Sequence, residues 1–460
     1  MVDAVAVFDV GKSNAKLALV GLDSLAVIVV RTTPNIVRRD GPYPHFDVDG
    51  LWRWLLDGLA ELGRQARVSA IATTTHGACF ALTAGDDLAL PILDYEFAGP
   101  SSVSAAYAEI RGDCAETLSP DLPGGLNAGR QLFWLRQAFP ERFAASDALL
   151  PYRQYWAWRL SGAKVAEVTS FGAHTDLWNP RAATFSGLAE REGWARLVPA
   201  MVKPWDTVGR LRVDIARETR LPADCRVVAG IHDSNASLLP HLLARPLPFA
   251  VISTGTWMIT FAAGGSLDRL DWARGCLANV DPFARPVPSA MCMAGREFEL
   301  IAGAAPAEPR SAEVAHVVAE RIMALPAFVP DSGPFGRRRG NWSTDPAKLS
   351  GGERSAVASL YCALIAATCL RLTGAGGPII VEGPFARNRT FLAALARLVP
   401  RPVLARPDAT GTIGGAALLA LGPNALPPRA DDPDPVVPIE VDLSVYARDW
   451  EERAAEWDCR

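Results

Sequence analysis

Two stretches of the chain share a pattern of an apolar run, a short polar turn and a second apolar run. Val5–Val10 is apolar and β-rich, and after a polar turn the apolar residues resume at Ala15–Val20. This pattern predicts a hairpin rather than a strand that leads into a helix. The same design returns at Phe249–Ser253 and Trp257–Ala262, again with a glycine in the turn between the two runs.

Between and after the hairpins, the spacing of apolar residues indicates alternating helices and strands. Leu51–Arg67 has helical spacing and precedes a predicted strand at Val68–Thr74, an alternation that is typical of the α/β class. Further predicted elements are a strand at Pro378–Val381 and helices at Leu149–Leu160, Ala356–Leu372, Gly414–Leu421 and Tyr446–Trp457. Gly162 is placed to end the first of these helices. The proline-rich, acidic segment Gly422–Pro438 is expected to form an extended surface strap.

Length and charge narrow the class of protein. The chain has 460 residues and 49% hydrophobic composition, which exceeds the roughly 250 to 300 residues that a single core supports. We therefore expect two domains that meet near Pro240. The formal net charge is -4, and Arg337–Arg339 is the one place where basic residues concentrate, so a nucleic-acid partner is not expected.

The amino terminus and the cysteines indicate an intracellular protein. The first residues lack the pattern of a secretory signal, and no run reaches the ~20 apolar residues that cross a bilayer. We therefore expect a soluble, cytoplasmic protein without a membrane partner. Eight cysteines lie far apart with no CxxC pair, and we interpret them as reduced thiols, mostly in the core, rather than as metal or redox residues.

The first hairpin carries candidate phosphate-binding residues. Gly11-Lys12-Ser13 is superficially similar to a P-loop, but Ala6 stands where that motif needs its first glycine, and a strand rather than a helix follows. Asp9 at the strand end and the amides of the turn can face an anion, although an ordinary β-turn explains this motif equally well. Two glycine turns in separate domains favour a phosphoryl-transfer site that closes on one nucleotide from both sides.

A carboxylate follows the apolar run that begins at Val228. Asp233 stands after Gly230-Ile231-His232 at a predicted helix start, where the simplest interpretation is a helix N-cap. If Asp233 instead faces a cleft, it can accept the proton of an attacking hydroxyl. Asp9 would then hold Mg²⁺ through water, together with Asp233, because this ion favours carboxylates and phosphates.

Several of these segments resemble the FGGY carbohydrate kinases. Phe8–Lys16 resembles their first phosphate motif, with Lys12 where threonine is usual. Gly230–Asn235 is similar to their catalytic-base segment and is closest to the rhamnulokinase form, and Ser253–Trp257 is similar to their second phosphate hairpin.

The resemblance continues towards the carboxyl terminus. Val381–Asn388 and Ala409–Gly415 are similar to the adenosine-binding region of the family, although Pro384 and Phe385 replace glycines. Phe328–Pro346 resembles the loop between its domains.

The resemblance implies a two-domain actin-like ATPase (ribonuclease H-like) α/β fold with a cleft between the domains. Residues 1–240 would form the sugar-binding domain with the first phosphate hairpin, and residues 241–460 would form the nucleotide-binding domain. The implied activity is transfer of the γ-phosphoryl group of ATP, with Mg²⁺, to a hydroxyl of a ketose, L-rhamnulose or L-fuculose before ribulose, xylulose or a polyol. An actin-like ATPase without a sugar acceptor and a sugar-sensing regulator are the alternatives. The oligomeric state stays open, with a homodimer as one expectation.

The resemblance also implies a set of site residues. Asp233 is the expected catalytic base, and Asp9 and Asp233 are the expected metal ligands. The sugar is expected to contact His76, Gly77, Glu96 and His232, although a lone histidine such as His76 is more often structural. The expected ATP-binding residues are Gly11, Lys12, Ser13, Asn14, Lys16, Thr254, Gly255, Thr256, Gly383, Asn388 and Gly414. Trp156, Trp158 and Trp257 are expected in the core rather than in a sugar platform.

Overall fold

The computed structural model describes residues 2–407, 411–425 and 433–456. The chain divides into two compact units, each assembled from three segments. The first unit comprises Met1–Arg245, Ala278–Pro286 and Thr410–Arg429, and the second comprises Pro246–Leu277, Val287–Ala409 and Ala430–Arg460.

The secondary structure is mixed α/β in both units. The strands are β1 (Asp3–Val10), β2 (Asn14–Gly21), β3 (Val27–Pro34), β4 (Val37–Arg38), β5 (His45–Phe46), β6 (Arg67–Thr75), β7 (Phe80–Ala84), β8 (Asp87–Leu88), β9 (Ala148–Pro151), β10 (Trp178–Asn179), β11 (Thr184–Phe185), β12 (Thr207–Arg210), β13 (Arg226–Val228), β14 (Ile231–His232), β15 (Phe249–Thr254), β16 (Met258–Ala263), β17 (Cys276–Val280), β18 (Pro286–Cys292), β19 (Ala324–Leu325), β20 (Asn341–Trp342), β21 (Ile379–Glu382) and β22 (Val403–Arg406). The helices are α1 (Val48–Leu62), α2 (Ser104–Arg111), α3 (Cys114–Thr117), α4 (Ala128–Ala138), α5 (Pro140–Ala144), α6 (Tyr152–Ser161), α7 (Val168–Phe171), α8 (Gly187–Arg191), α9 (Val213–Thr219), α10 (Asp233–Ala244), α11 (Ala294–Ala302), α12 (Ser311–Ala319), α13 (Gly351–Leu372), α14 (Arg389–Leu398), α15 (Gly411–Leu418) and α16 (Ser444–Glu456).

The main sheet of the first unit has the order β12-β13-β6-β1-β2-β3, and β14 also pairs with β6. β1 is antiparallel to β2 and parallel to β6. The apolar run of β1 is continuous because both faces of the sheet are covered. Ala6 and Phe8 pack in one core with residues of α1 and α6. Val5 and Val7 pack in a second core with residues of α10 and α15 on the opposite face.

The second unit repeats this arrangement in a sheet of the order β17-β18-β16-β15-β21-β22. β15 is antiparallel to β16 and parallel to β21, which is the same pattern that β1 makes with β2 and β6. The predicted recurrence of one hairpin design is therefore confirmed. In the part of the chain that the structure describes, α13 is long and apolar enough to cross a membrane, but 89% of its most apolar window is buried inside the protein.

The start of one predicted helix differs from the observed start because tertiary pairing decides it. The predicted helix Leu149–Leu160 is wrong at its start, because Ala148–Pro151 pairs with β7 as strand β9 and α6 begins only after Pro151. Gly162 ends α6 in the left-handed conformation, as predicted. Pro240 lies inside α10.

Other predictions concern segments that the structure describes only in part. Residues 426–432 of the predicted strap, together with Trp457 and Cys459, lie outside the described residues.

Two further predictions concern fully described residues. Six of the seven described cysteines are buried, as expected of core residues. Phe328–Pro346 lies wholly within the second unit, so its interpretation as a loop between domains is wrong.

Candidate active site

Asp9 is a buried carboxylate at the end of β1. It is 6% exposed, and its Oδ2 accepts a hydrogen bond from the hydroxyl of Thr412 at 2.7 Å. Burial raises the pKa of Asp9, while the Thr412 hydroxyl and the charge of Lys16 act in the opposite direction. The carboxylate therefore sits where a positive charge would be favourable.

Asp233 is the first residue of α10, one position after the N-cap His232. The N-cap interpretation of Asp233 is therefore wrong. Its Oδ1 accepts hydrogen bonds from the Ser234 amide at 2.6 Å and the Ser234 hydroxyl at 3.3 Å. Burial and the nearby charge of Asp9 raise the pKa of Asp233 to about 7. Because 27% of its side chain stays exposed, this carboxylate can take up a proton from a bound molecule near neutral pH.

Gly230 allows the chain to bring Asp233 close to the carboxyl end of strand β6. Gly230 has a φ of +90°, and a Cβ added there would overlap Thr73 of β6. Only a residue without a side chain lets β14 run alongside β6, where Ile231 pairs with Thr74 and His232 pairs with Thr75.

A buried network holds the backbone just before Asp233. The amide of His232 donates to the hydroxyl of Thr169 at 3.1 Å, and that hydroxyl donates to Glu167 Oε1 at 2.8 Å. The Nε atom of Arg153 lies 3.6 Å from the same carboxylate oxygen. Arg153 is 1% exposed, and within the described residues its Nε and Nη1 have no hydrogen-bond partner. Its charge faces both Glu167 and Asp233, so α6, α7 and the start of α10 are tied together.

His232 lies beside Asp233, and His76 lies near His232. Nε2 of His232 lies 3.3 Å from Asp233 Oδ1. His76 follows β6 directly, and its Nδ1 donates to the carbonyl of Gly77 at 2.9 Å, which leaves Nε2 as an acceptor. Burial lowers the pKa of His76 to about 4, so the ring is neutral at physiological pH. A Cβ at Gly77 would lie 2.8 Å from His232 Nε2, which shows that Gly77 and His232 are close neighbours.

Lys12 and Glu96 belong to a charged cluster in the first unit. The ammonium of Lys12 is paired with Asp94 and lies 3.4 Å from Glu96 Oε2. It also lies 5.1 Å from the ring centroid of Phe46 and 5.2 Å from that of Tyr95. Asp94 is buried, whereas 64% of the Glu96 side chain is exposed. The structure therefore adds Asp94 to the candidate sugar contacts.

The first predicted phosphate turn is closed by its own backbone. The amide of Gly11 donates to the carbonyl of Asn14 at 2.9 Å, and the carbonyl of Ser13 accepts from the amide of Asn35. The side chain of Asn35 donates to the carbonyl of Gly11 at 2.8 Å. Lys16 follows on β2, where it pairs with Asp9 across the hairpin. The role of this turn in ATP binding stays a prediction.

The second unit contains a cavity of about 720 Å³ beside the second hairpin turn. Its lining residues come from that turn, from α11, from α13 and from the segment after β21; they include Gly255, Thr256, Gly295, Ser355, Ser359, Phe385 and Asn388. A volume of this size accommodates a nucleotide-sized ligand.

Glycines and a threonine fix the shape of this cavity. A Cβ at Gly295 would overlap the carbonyl oxygen of Gly255, and a Cβ at Gly383 would overlap that of Thr254. The Thr254 hydroxyl donates to the carbonyl of Glu382 and accepts from the amide of Phe385. The hairpin turn, the start of α11 and the end of β21 are thus in backbone contact.

Phe385 and Asn388 have structural contacts at the cavity wall. Phe385 is 6% exposed, and its ring centroid lies 5.6 Å from that of Phe298 and 4.9 Å from that of Phe391. Asn388 caps α14 through the amide of Phe391 at 2.9 Å and donates to Ser359 at 3.0 Å. The aromatic side chain that replaces a family glycine therefore packs into the wall and leaves the cavity open.

The remaining predicted residues are distributed as follows. Gly414 lies in α15 of the first unit and does not line the cavity. Ala409 and Thr410, part of the segment compared with the adenosine-binding region, lie outside the described residues. Trp156 and Trp158 are core residues as expected, but Trp257 is 36% exposed, so its assignment to the core is wrong.

Comparison with known proteins identifies the class of this chain. Residues 246–428 match the family described as carbohydrate kinase FGGY, C-terminal domain. A carbohydrate kinase from Novosphingobium aromaticivorans is 37% identical, with 99% of each chain covered and a TM-score of 0.90. Together with the two similar sheets, this relationship defines a carbohydrate kinase with the actin-like ATPase fold. The chain belongs to the FGGY carbohydrate kinase family.

More distant structures share the fold. A xylulose kinase from Lactobacillus acidophilus is 13% identical, with 99% of this chain and 97% of that chain covered and a TM-score of 0.82. A glycerol kinase from Plasmodium falciparum, solved with ADP, is 10% identical, with 100% and 99% covered and a TM-score of 0.76. No curated protein matches the sequence. The predicted fold class and phosphotransferase activity are confirmed.

Proposed function

We propose that this protein is an ATP-dependent kinase of a ketose and that Asp233 is its catalytic base. The observation that carries the proposal is the environment of Asp233: a carboxylate with a pKa of about 7, a quarter exposed, beside Asp9 and His232. A base with a pKa near the working pH is the most efficient at removing a proton in the transition state, worth roughly 10² to 10⁴ in rate.

The reaction that this arrangement supports is an in-line phosphoryl transfer. Asp233 takes the proton of one sugar hydroxyl, and the oxygen of that hydroxyl forms a bond to the γ-phosphorus. The bond between the γ-phosphorus and the bridging oxygen breaks, so that ADP leaves with the electron pair. Positioning and charge neutralisation carry most of the catalysis in such a transfer.

The residues present fit a magnesium ion. Asp9 is buried and Asp233 is largely buried, and the charge of Asp9 contributes to raising the pKa of Asp233, so a divalent cation would remove an unfavourable pairing of like charges. The described residues contain no cluster of three or more possible metal-binding side chains, which suits an ion that takes its other ligands from phosphates and water. When bound, Mg²⁺ would neutralise charge on the phosphates.

The sugar contacts that we propose are His76, Gly77, Glu96 and His232, with Asp94 added. Nε2 of His76 has no hydrogen-bond partner within the described residues, and as an acceptor it suits a sugar hydroxyl. The His232-Asp233 pair favours L-rhamnulose or L-fuculose as substrate. Xylulose or ribulose is the second candidate, because several kinases of the same fold are xylulose kinases.

The proposed ATP contacts are those of the sequence analysis. Thr256, Gly255 and Asn388 border the 720 Å³ cavity, and Thr254 and Gly383 shape its backbone. For Gly11–Asn14, Lys16 and Gly414 the support is the family resemblance. We also propose the domain limits at 1–240 and 241–460, a cytoplasmic location and a homodimer, on the grounds given in the sequence analysis.

A coupled assay of ADP release tests the proposal. The protein is incubated with ATP, Mg²⁺ and one member of a panel that contains L-rhamnulose, L-fuculose, L-ribulose, D-xylulose and glycerol. We expect release to depend on a ketose in the wild type and to be lost in Asp233→Asn, which keeps the shape of the side chain. Release that is independent of any sugar would instead favour the actin-like ATPase, and sugar-dependent release at the normal rate in the variant would remove Asp233 from the mechanism.

A further inference from the structure

A second cavity of the second unit gathers positive charge. It has a volume of about 480 Å³, and its charged lining consists of four arginines and one glutamate: Arg274, Arg337, Arg338, Arg371 and Glu451. The arginines come from three separate elements, the turn Trp272–Arg274, the loop after Gly333–Phe335 and the end of α13. The chain as a whole is acidic, with a formal net charge of -4, so this concentration of cations is a local feature.

Two of these guanidinium groups are held in place by an anchored aromatic ring. The Cζ atoms of Arg274 and Arg338 lie 5.4 Å and 5.5 Å from the ring centroid of Phe335. The ring itself packs at 89° against Trp450, which is 1% exposed. Arg274 Nε also donates to the carbonyl of Pro334 at 3.3 Å. A guanidinium that is ordered before binding loses little entropy when it binds an anion.

Two of these arginines lack a carboxylate partner among the described residues. Arg371 pairs with Glu451 at 2.7 Å, but within the described ranges Arg274 and Arg337 make no ion pair with a carboxylate. Arg274 and Arg337 therefore leave positive charge in one concave space, and a bound anion would balance it. Arginine forks match phosphate oxygens in geometry as well as in charge.

We propose that this arginine-lined cavity is a binding site for a small anion that carries phosphate groups, separate from the nucleotide cavity. The two cavities share one structural element. Ser355 and Ser359 of α13 line the nucleotide cavity, whereas Arg371 lies 12 residues further along the same helix, a rise of about 18 Å. An occupant of the arginine-lined cavity therefore contacts the far end of the helix that forms one wall of the nucleotide site.

Isothermal titration with sodium pyrophosphate in the presence of saturating ADP tests the proposal, because ADP occupies the nucleotide cavity and removes it as a source of binding. We expect one equivalent of pyrophosphate to bind, more weakly as salt is raised. Arg274→Gln and Arg337→Gln should each weaken binding by at least about tenfold, since a hydrogen bond to a charged group contributes about 1.5–3 kcal/mol. A parallel titration with a sugar monophosphate shows whether the site binds a phosphorylated metabolite more tightly than an inorganic anion.

The matched control is Arg453→Gln, which removes an exposed arginine of α16 outside the cavity lining and should leave binding within twofold. Kinase activity without added anion should be unchanged in all three variants, which shows that they fold. Binding of equal strength in the double variant Arg274→Gln/Arg337→Gln, or no binding at 10 mM pyrophosphate, about the millimolar limit of weak affinity, would overturn the proposal.

Discussion

Replacing Asp233 by asparagine should stabilise the protein, and the gain should grow with pH. In the folded state this carboxyl holds its proton up to a pKa of about 7, whereas its ordinary value is 3.8. Between these two values the folded state binds a proton that the unfolded chain has lost. Stability therefore falls by about 1.4 kcal/mol per pH unit as the pH rises, and the sum is about 4 kcal/mol. Asparagine has no charge to bury and does not suffer this loss.

Between pH 5 and pH 8 the advantage of Asp233→Asn over the wild type should grow by about 2–3 kcal/mol, a figure that allows for the exposed quarter of the side chain. At roughly 1–2 °C per kcal/mol for a protein of this length, calorimetry at pH 5, 6.5 and 8 should show a difference in Tm that widens by about 2–6 °C. Asp57→Asn, an exposed site on α1, is the control and should show no widening. A difference in Tm that is equal at pH 5 and pH 8 would refute the reasoning.

Three further predictions follow from contacts around the two sites. Thr169→Val removes the hydroxyl that accepts from the His232 amide and should lower kcat about tenfold with KM for ATP unchanged. Thr169→Ser keeps a hydroxyl and should retain the wild-type kcat. Equal kinetics of the two variants would contradict this. His76→Ala should raise KM for the sugar about tenfold or more. In the wild type, His76 stays neutral between pH 6 and 8 because its pKa is about 4, so its titration should not change KM for the sugar in that range. Gly295→Ala places a Cβ against the Gly255 carbonyl and should raise KM for ATP about tenfold in steady-state assays; an unchanged KM would show that the turn does not contact the nucleotide.

Much of the fold could be predicted because a strand that is buried on both faces of its sheet appears in the sequence as an apolar run. β1 and β15 are continuous apolar runs that end at a polar or glycine-bearing turn, and both hairpins form where that pattern stands. Ala148–Pro151 carried no such signal. It is a run of only four residues directly before the helix α6, and its pairing with β7 is what makes it a strand. Short apolar runs of this kind can be assigned only by tertiary contacts.

The site could be predicted only where a motif is continuous in the sequence. Asp9 and Asp233 each stand within such a motif, beside a turn or a helix start. Arg153, Glu167 and Thr169 lie on α6 and at the start of α7, and nothing in their local sequence connects them with Asp233. Their link is a chain of hydrogen bonds and charges that exists only after folding.

The contact between Asp9 and Thr412 joins residues that are 403 positions apart. Thr412 belongs to α15, which packs against α10 so closely that Gly415 has no room for a side chain beside Ala236. A gene fragment that encodes residues 1–245 alone would therefore express a half-protein with a bare apolar groove and an unsupported Asp9. Anyone who trims this enzyme for crystallisation, or splits it into a reporter pair, must supply the 411–421 segment in cis or as a separate peptide.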